Sequence, residues 1–269
     1  MRGTGVVVSA LLVLLVACSS ISPSPSQQST PTPQVDGPAP SPTEDPRYTT
    51  QREEMVVKTI KNRGVQDEDV LRAMEEVPRH LFVPEDQRSQ AYGDYPLPIG
   101  FGQTISQPYI VAVMTELLEP EEGDRILEVG TGSGYQAAVL AELPGVEVYT
   151  VEIVPELAKQ AKDTLADLGY DNMHCKEGDG YYGWPEYAPF DGIIVTAAPD
   201  HVPQPLREQL AVGGHMVIPI GPRGGYQTLW QFVKQPDGEM KAYNQGGVAF
   251  VPFTGRGIRG NEEGGGWPP

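Results

Sequence analysis

One stretch constrains the fold of this chain more than any other: Arg125-Ile126-Leu127-Glu128-Val129-Gly130-Thr131-Gly132-Ser133-Gly134-Tyr135. The apolar run, the glycine-rich turn and the helix-forming residues from Gln136 to Leu143 predict a strand, a tight loop and a helix. Glycines at 130, 132 and 134 let the backbone turn sharply and let a ligand approach closely where a helix N-terminus offers free N–H groups. The spacing narrows that ligand. A dinucleotide fingerprint is GxGxxG, whereas this loop is GxGxG with bulky Tyr135 where the last glycine would stand, and it carries an acid, Glu128, in the strand end. A second strand, Val146 to Val151, ends in Glu152, about 20 residues beyond the loop, where a carboxylate can accept hydrogen bonds from both ribose hydroxyls. From these residues alone, a glycine-rich turn of some other α/β fold stays open.

With 269 residues, 39% of them hydrophobic, the chain can bury the core of one domain with appendages. A formal net charge of −17, with no cluster of Lys and Arg, excludes a nucleic-acid backbone as partner. Two cysteines, Cys18 and Cys175, make no disulfide framework. His80, His174, His201 and His215 lack metal-ligand spacing, so no metal is expected.

The N-terminus reads as an export signal over residues 1–17: a weakly positive start, then an apolar run from Val6 to Ala17 too short to cross a bilayer comfortably. Leu15-Val16-Ala17-Cys18 resembles a bacterial lipoprotein box, which implies acylation of Cys18 and an extracytoplasmic protein anchored to a membrane by lipid. An uncleaved anchor, or a misplaced start that leaves the protein in the cytoplasm, is the alternative. Residues 18–46, rich in Ser, Pro, Gln and Thr, form a disordered tether; residues 47–254 form the folded domain; the Gly-rich residues 255–269 form a flexible tail.

Within the domain, Thr49 or Thr50 can cap a helix that runs to Arg63 and stops at Gly64, and Asp67 caps a second helix through Val77. A Gly-, Pro- and Tyr-rich loop, Ala91 to Gln103, precedes Thr104-Ile105-Ser106-Gln107-Pro108, and loops of this length inside a domain are usually functional. Locally, Ser106 before Gln107-Pro108 reads as a helix N-cap. A helix opens at Val154-Pro155, and Met173 to Lys176 is a short strand leading to Gly178-Asp179-Gly180. Asp179 there is either a ligand-binding acid at the mouth of a sheet or an ordinary Asp-Gly turn. Phe190 to Thr196 is a buried central strand, Leu206 to Leu210 a short helix, and Gly213 to Ile220, Thr228 to Val233 and Val248 to Phe253 complete the sheet.

Six blocks in order, RHLFVP, LPIGFGQTISQPY, LEVGTGSGYQAAVLAEL, GDGYYGW, FDGIIVTAAP and VAFVPF, resemble the protein-L-isoaspartate O-methyltransferases across most of residues 70–255. LEVGTGSGY and the acid Glu152 are similar to the cofactor motifs of class I S-adenosylmethionine-dependent methyltransferases, and TISQP is peculiar to the isoaspartate family among them. The resemblance implies a doubly wound, mostly parallel, seven-stranded Rossmann-like α/β sheet with N-terminal helices; separately, a monomer is expected. It implies S-adenosyl-L-methionine as cofactor, held by Glu128, Gly130, Thr131, Gly132, Ser133, Gly134, Glu152, Asp179, Gly180 and Thr254, with Asp179 and Gly180 beside the adenine. Ser106 corresponds to the active-site serine, aided by Thr104. The implied acceptor is the free α-carboxylate of L-isoaspartyl, and also D-aspartyl, residues in aged proteins, whose methylation begins their return to aspartate through a succinimide.

That chemistry needs no strong base, because a carboxylate is already ionised at neutral pH and a sulfonium leaves as a neutral thioether. What the protein must supply is in-line positioning. Two rivals are a methyltransferase for another carboxylate, which should lack GQTISQP, and an exported lipoprotein that keeps the fold as a non-catalytic binding module.

Overall fold

A computed structural model describes residues 44–257 apart from Asp171 and Gly224. The export signal, Cys18, the tether up to residue 43 and the tail beyond residue 257 lie outside the described residues. The described residues fall in a compact unit that begins at Glu44.

Helix α1 (Pro46–Glu54) is capped by Asp45, whose carboxylate accepts the Arg47 N–H at 3.0 Å, with Pro46 at the first helical position. This corrects the expected cap at Thr49 or Thr50: Asp-Pro supplies both an acceptor and a preset φ a turn earlier. The rod continues in π form over Met55–Ile60, then as a 3-10 turn, and Gly64 ends it at φ 108°. Helix α2 (Glu68–Glu76) is capped as expected by Asp67, which accepts from the Asp69 and Val70 N–H groups.

The segment expected to be irregular contains an antiparallel hairpin, β1 (Leu97–Gly100) and β2 (Gln103–Ile105). Pro and Gly are depleted in strands and hid it from the sequence. It holds because Leu97, Ile99 and Ile105 are buried on one face while Pro98, Gly100 and Thr104 face water. Helix α3 (Pro108–Glu116) follows.

From there the chain alternates β3 (Arg125–Val129), α4 (Tyr135–Ala141), β4 (Glu147–Glu152), α5 (Pro155–Asp167), β5 (Met173–Glu177), β6 (Phe190–Val195), α6 (Gln204–Gln209) and β7 (Leu210–Ile220). The hairpin-linked β8 (Gln227–Lys234) and β9 (Met240–Val248) close it. Among the described residues, β3 to β9 form one sheet in the order β5-β4-β3-β6-β7-β8-β9, parallel from β5 through β7 and antiparallel beyond. Alternate residues of each strand feed opposite faces: Ile126, Val148 and Ile194 pack with the α2–α5 side, Leu127, Tyr149 and Ile193 with the side of α6. This is the doubly wound arrangement, which is expected to bury its central strands on both faces.

The last strand also needs correction. Residues 240–248, not 248–253, pair with β8; they are polar and mostly exposed, as an outer strand with one open edge can be, so their strand character left little hydrophobic signal. The predicted segment instead crosses to the end of β6, where Ala198 N–H donates to the Val251 carbonyl and Phe253 N–H to the Ala198 carbonyl, both at 2.9 Å.

Candidate functional site

Strand order reverses between β3 and β6, and at such a switch point loops leave the carboxyl ends of neighbouring strands in opposite directions and open a crevice. A cleft lies there. The glycine loop, Gly130 to Ser133, lines it together with two stretches of its wall, Gln103 to Ser106 and Val251 to Thr254. Gly130 sits at φ 101°, and a side chain on it would collide with the Thr196 hydroxyl, which donates to the Gly130 carbonyl at 2.5 Å and fastens the loop to the end of β6.

Two carboxylates face this space. Glu152, nearly buried at the end of β4, accepts the Gly132 N–H on one oxygen (2.8 Å) and the Val154 N–H on the other (2.9 Å). Each oxygen retains a lone pair for a hydroxyl donor. Glu128, wholly buried in β3, accepts from the Thr150 hydroxyl at 2.5 Å, and Thr150 is bonded in turn to Thr131 at 2.6 Å. Its second oxygen, Oε1, has no partner. Burial pushes the Glu128 carboxyl up to about 8, with the Thr150 bond opposing the rise and the Glu152 charge adding to it. An orphaned acceptor of this kind is costly unless a donor or cation completes it.

No Lys, Arg or His stands among the described residues lining the cleft. A pyrophosphate would meet two carboxylates and no countercharge. A ribose with a cationic ammonium and sulfonium, as in S-adenosylmethionine, fits the same donor set: hydroxyls for Glu152 and positive charge for Glu128.

Ser106 lies in the wall, but it does not cap α3. Asp94 takes that role from outside the local sequence: it accepts the Tyr109 N–H at 3.3 Å, the Gln107 side-chain amide at 2.7 Å and Arg63 at 2.6 Å. Gln107 occupies the cap position without a side-chain cap. The Ser106 backbone is instead held by Arg79, whose buried guanidinium donates to the Ser106 carbonyl at 2.8 Å and to the Ala91 carbonyl at 2.7 Å, over the Tyr135 ring. Burial lowers the Arg79 pKa to about 10, still well above neutrality.

Of the residues singled out from the sequence, Thr104, Ser106, Glu128, Gly130, Thr131, Gly132, Ser133, Glu152, Gly180 and Thr254 line one cleft. Gly134 does not. It adopts φ 88° to start α4, and a Cβ there would press on Leu165 at 3.2 Å, so its role is in the turn. Asp179 also stands outside: one oxygen accepts the Tyr181 N–H, capping a short turn, and the other accepts the N–H groups of Arg256 and Gly257. These bonds are those of the Asp-Gly turn reading. Arg79 and Thr196 were missed as individual residues, although both stand inside quoted blocks, RHLFVP and FDGIIVTAAP. A buried Arg in a short apolar motif is the signal that could have found the first. Cys175 is half-buried in β5, and burial raises its thiol pKa. Among the described residues no cluster could hold a metal, and no helix is long and apolar enough to cross a membrane.

Comparisons with known proteins agree with this geometry. The family model for protein-L-isoaspartate(D-aspartate) O-methyltransferase matches residues 50–257. The chain is 55% identical over 204 residues to a protein-L-isoaspartate O-methyltransferase of Picosynechococcus, covering 76% of this chain and 90% of that one. It is 54% identical over 202 residues to the Gloeobacter violaceus enzyme of that name, covering 74% and 97%. A solved protein-L-isoaspartate O-methyltransferase superposes with a TM-score of 0.69 at 32% identity, over 76% of this chain and 66% of that one. A candidate enzyme of the same name from Plasmodium falciparum, in complex with S-adenosyl-L-homocysteine, gives 0.64 at 27% identity, over 76% and 98%. With the matching model spanning most of the chain and relatives above half identity, this chain belongs to the protein-L-isoaspartate(D-aspartate) O-methyltransferase family.

Proposed function

We propose that the protein transfers a methyl group from S-adenosyl-L-methionine to the free α-carboxylate of L-isoaspartyl, and D-aspartyl, residues in damaged proteins, the first step of their repair. The observation that carries this reading is one cleft with two carboxylates and no basic residue, sharing a wall with Gln103 to Ser106. The cofactor, when bound, supplies an electrophilic methyl group on a sulfonium.

The chain's own residues hold and orient. Glu152, fixed by the Gly132 and Val154 N–H groups, accepts ribose hydroxyls. Glu128 offers Oε1 to positive charge and becomes an anion when that charge arrives. Ser106 and Thr104 donate hydroxyls to the acceptor carboxylate, which needs no deprotonation at neutral pH. Arg79 fixes the Ser106 backbone in the wall of the cleft. Holding the two reactants in line is worth roughly 7–11 kcal/mol in favourable cases.

The test uses residues 44–269, labelled S-adenosylmethionine and one peptide in matched isoaspartyl and aspartyl forms. Base-labile label in the isoaspartyl form only is the expected result. Cofactor binding without incorporation would favour another carboxylate or the binding-module reading.

We further infer that the protein is exported and lipid-anchored through Cys18, with the Ser/Pro-rich segment as spacer; Leu15-Val16-Ala17-Cys18 supports this. Membrane fractionation checks it: Cys18→Ser should move the protein out of the detergent-soluble membrane fraction, and an unchanged distribution would contradict acylation.

A further inference from the structure

We propose that Phe101, at the tip of the β1–β2 hairpin, reads the substrate: its ring receives an apolar or aromatic side chain two or three residues from the isoaspartyl group. This rests on the repair-methyltransferase reading and adds a determinant of which damaged sites are preferred.

The hairpin is built against the cleft. Ile99 Cδ1 reaches to 3.5 Å from where a Cβ on Gly132 would stand, so the buried face of the hairpin lies on the glycine loop. Strand β2 then continues into the wall through Gln103, Thr104 and Ser106. At the tip, Gly100, Phe101 and Gly102 all have positive φ, of 94°, 52° and 73°. Phe101 is one of two non-glycine residues with positive φ among those described, and the other, Glu119, is not aromatic. The residue is 52% exposed.

A glycine at 101 would relieve the left-handed backbone and remove an exposed apolar surface together. Phe101 belongs to neither core cluster. Its position is the telling feature: three residues of chain span at most about 10 Å, so the Phe101 Cα stands within that distance of the Thr104 Cα, in the wall that meets the acceptor. An extended substrate rises about 3.3 Å per residue, so its side chains two or three positions from the reacting carboxylate pass the tip. The adjacent outward surface, Pro98 and Thr104, is exposed as well and leaves room for that strand.

The experiment measures kcat/KM for isoaspartyl peptides that differ only at the second and third positions on either side, carrying Tyr, Leu or Ser, with wild type, Phe101→Tyr and Phe101→Ser. Wild type and Phe101→Tyr should favour Tyr and Leu over Ser at one of these positions by roughly two- to tenfold, the reach of one aromatic contact. Phe101→Ser should lose that preference while its affinity for S-adenosylhomocysteine, measured by calorimetry, stays within twofold. A preference that survives in Phe101→Ser, or a wild type that methylates every isoaspartyl peptide equally, would overturn the proposal. Wild type that methylates none of them would instead refute the enzymatic reading on which it stands.

Discussion

Glu128→Gln should make the protein more stable at neutral and alkaline pH, by an amount that the burial of Glu128 fixes. The carboxyl is wholly buried, with one oxygen bonded to Thr150 and the other unpartnered, and its pKa is raised from 4.5 to about 8. Below pH 4.5 both folded and unfolded chains hold the proton, and the group imposes no ionisation cost. Between 4.5 and 8 the unfolded chain releases it while the folded chain keeps it, so stability falls as pH rises. At about 1.36 kcal/mol per pH unit the full loss is about 5 kcal/mol, of which about 3.5 kcal/mol falls between pH 5 and pH 8. A glutamine has nearly the same shape, can accept from Thr150 and never ionises. Urea unfolding of both forms at pH 5, 6, 7 and 8 reads the difference directly. The two curves should diverge as pH rises, with Glu128→Gln the more stable, and saturating S-adenosylhomocysteine should flatten the wild-type slope by placing positive charge near Oε1. Parallel stability curves for the two proteins would refute the reasoning, since they would mean that Glu128 ionises as readily in the fold as out of it.

Ser106→Ala should lower kcat by at least tenfold with little change in cofactor affinity, whereas Glu152→Ala should chiefly weaken cofactor binding; calorimetry with S-adenosylhomocysteine beside steady-state rates separates them, and equal loss of affinity would contradict the division. Arg79→Met removes the donor to the Ser106 and Ala91 carbonyls, each such charge-assisted bond being worth about 1.5–3 kcal/mol, but also removes a buried charge. Its turnover should therefore drop more than its melting temperature, and an unchanged kcat would show that Ser106 is held without it. Thr196→Val deletes the donor to the Gly130 and Val129 carbonyls and should cost about 1 kcal/mol of stability and raise the KM for cofactor; denaturation and initial-rate measurements on one preparation check both.

The sheet was readable where its strands are near-continuous apolar runs, as in β3 and β6, which burial on both faces favours. Where that signal weakened, the sequence misled. The hairpin over residues 97–105 carries Pro98 and two tip glycines, and β9 is a polar outer strand; each is held by pairing with the strand beside it in the chain, and neither is a continuous apolar run. The cap of α3 failed because its acceptor comes from elsewhere in the chain. Ser106 resembles a local N-cap, yet Gln107 occupies the cap position and Asp94, brought in by the fold, accepts the Tyr109 N–H, which leaves the serine to the cleft.

What the sequence by itself determined is the identity of the chemistry-bearing blocks: a glycine turn between strand and helix, an acid at the end of the next strand, and TISQP before a helix. These are local patterns, set by backbone conformational preference and by short-range spacing, so one chain is enough to read them. What only the tertiary structure decided is the use of each group. Glu128 is an acid in the sequence, but only β3 buried between β4 and β6 leaves it with one bonded and one open oxygen and a pKa near neutrality. Arg79 is a charge in an apolar motif until the fold sets its guanidinium against the Ser106 carbonyl 27 residues away. Desolvation and long-range hydrogen bonding depend on which segments meet, and that is settled by packing rather than by any local stretch of chain.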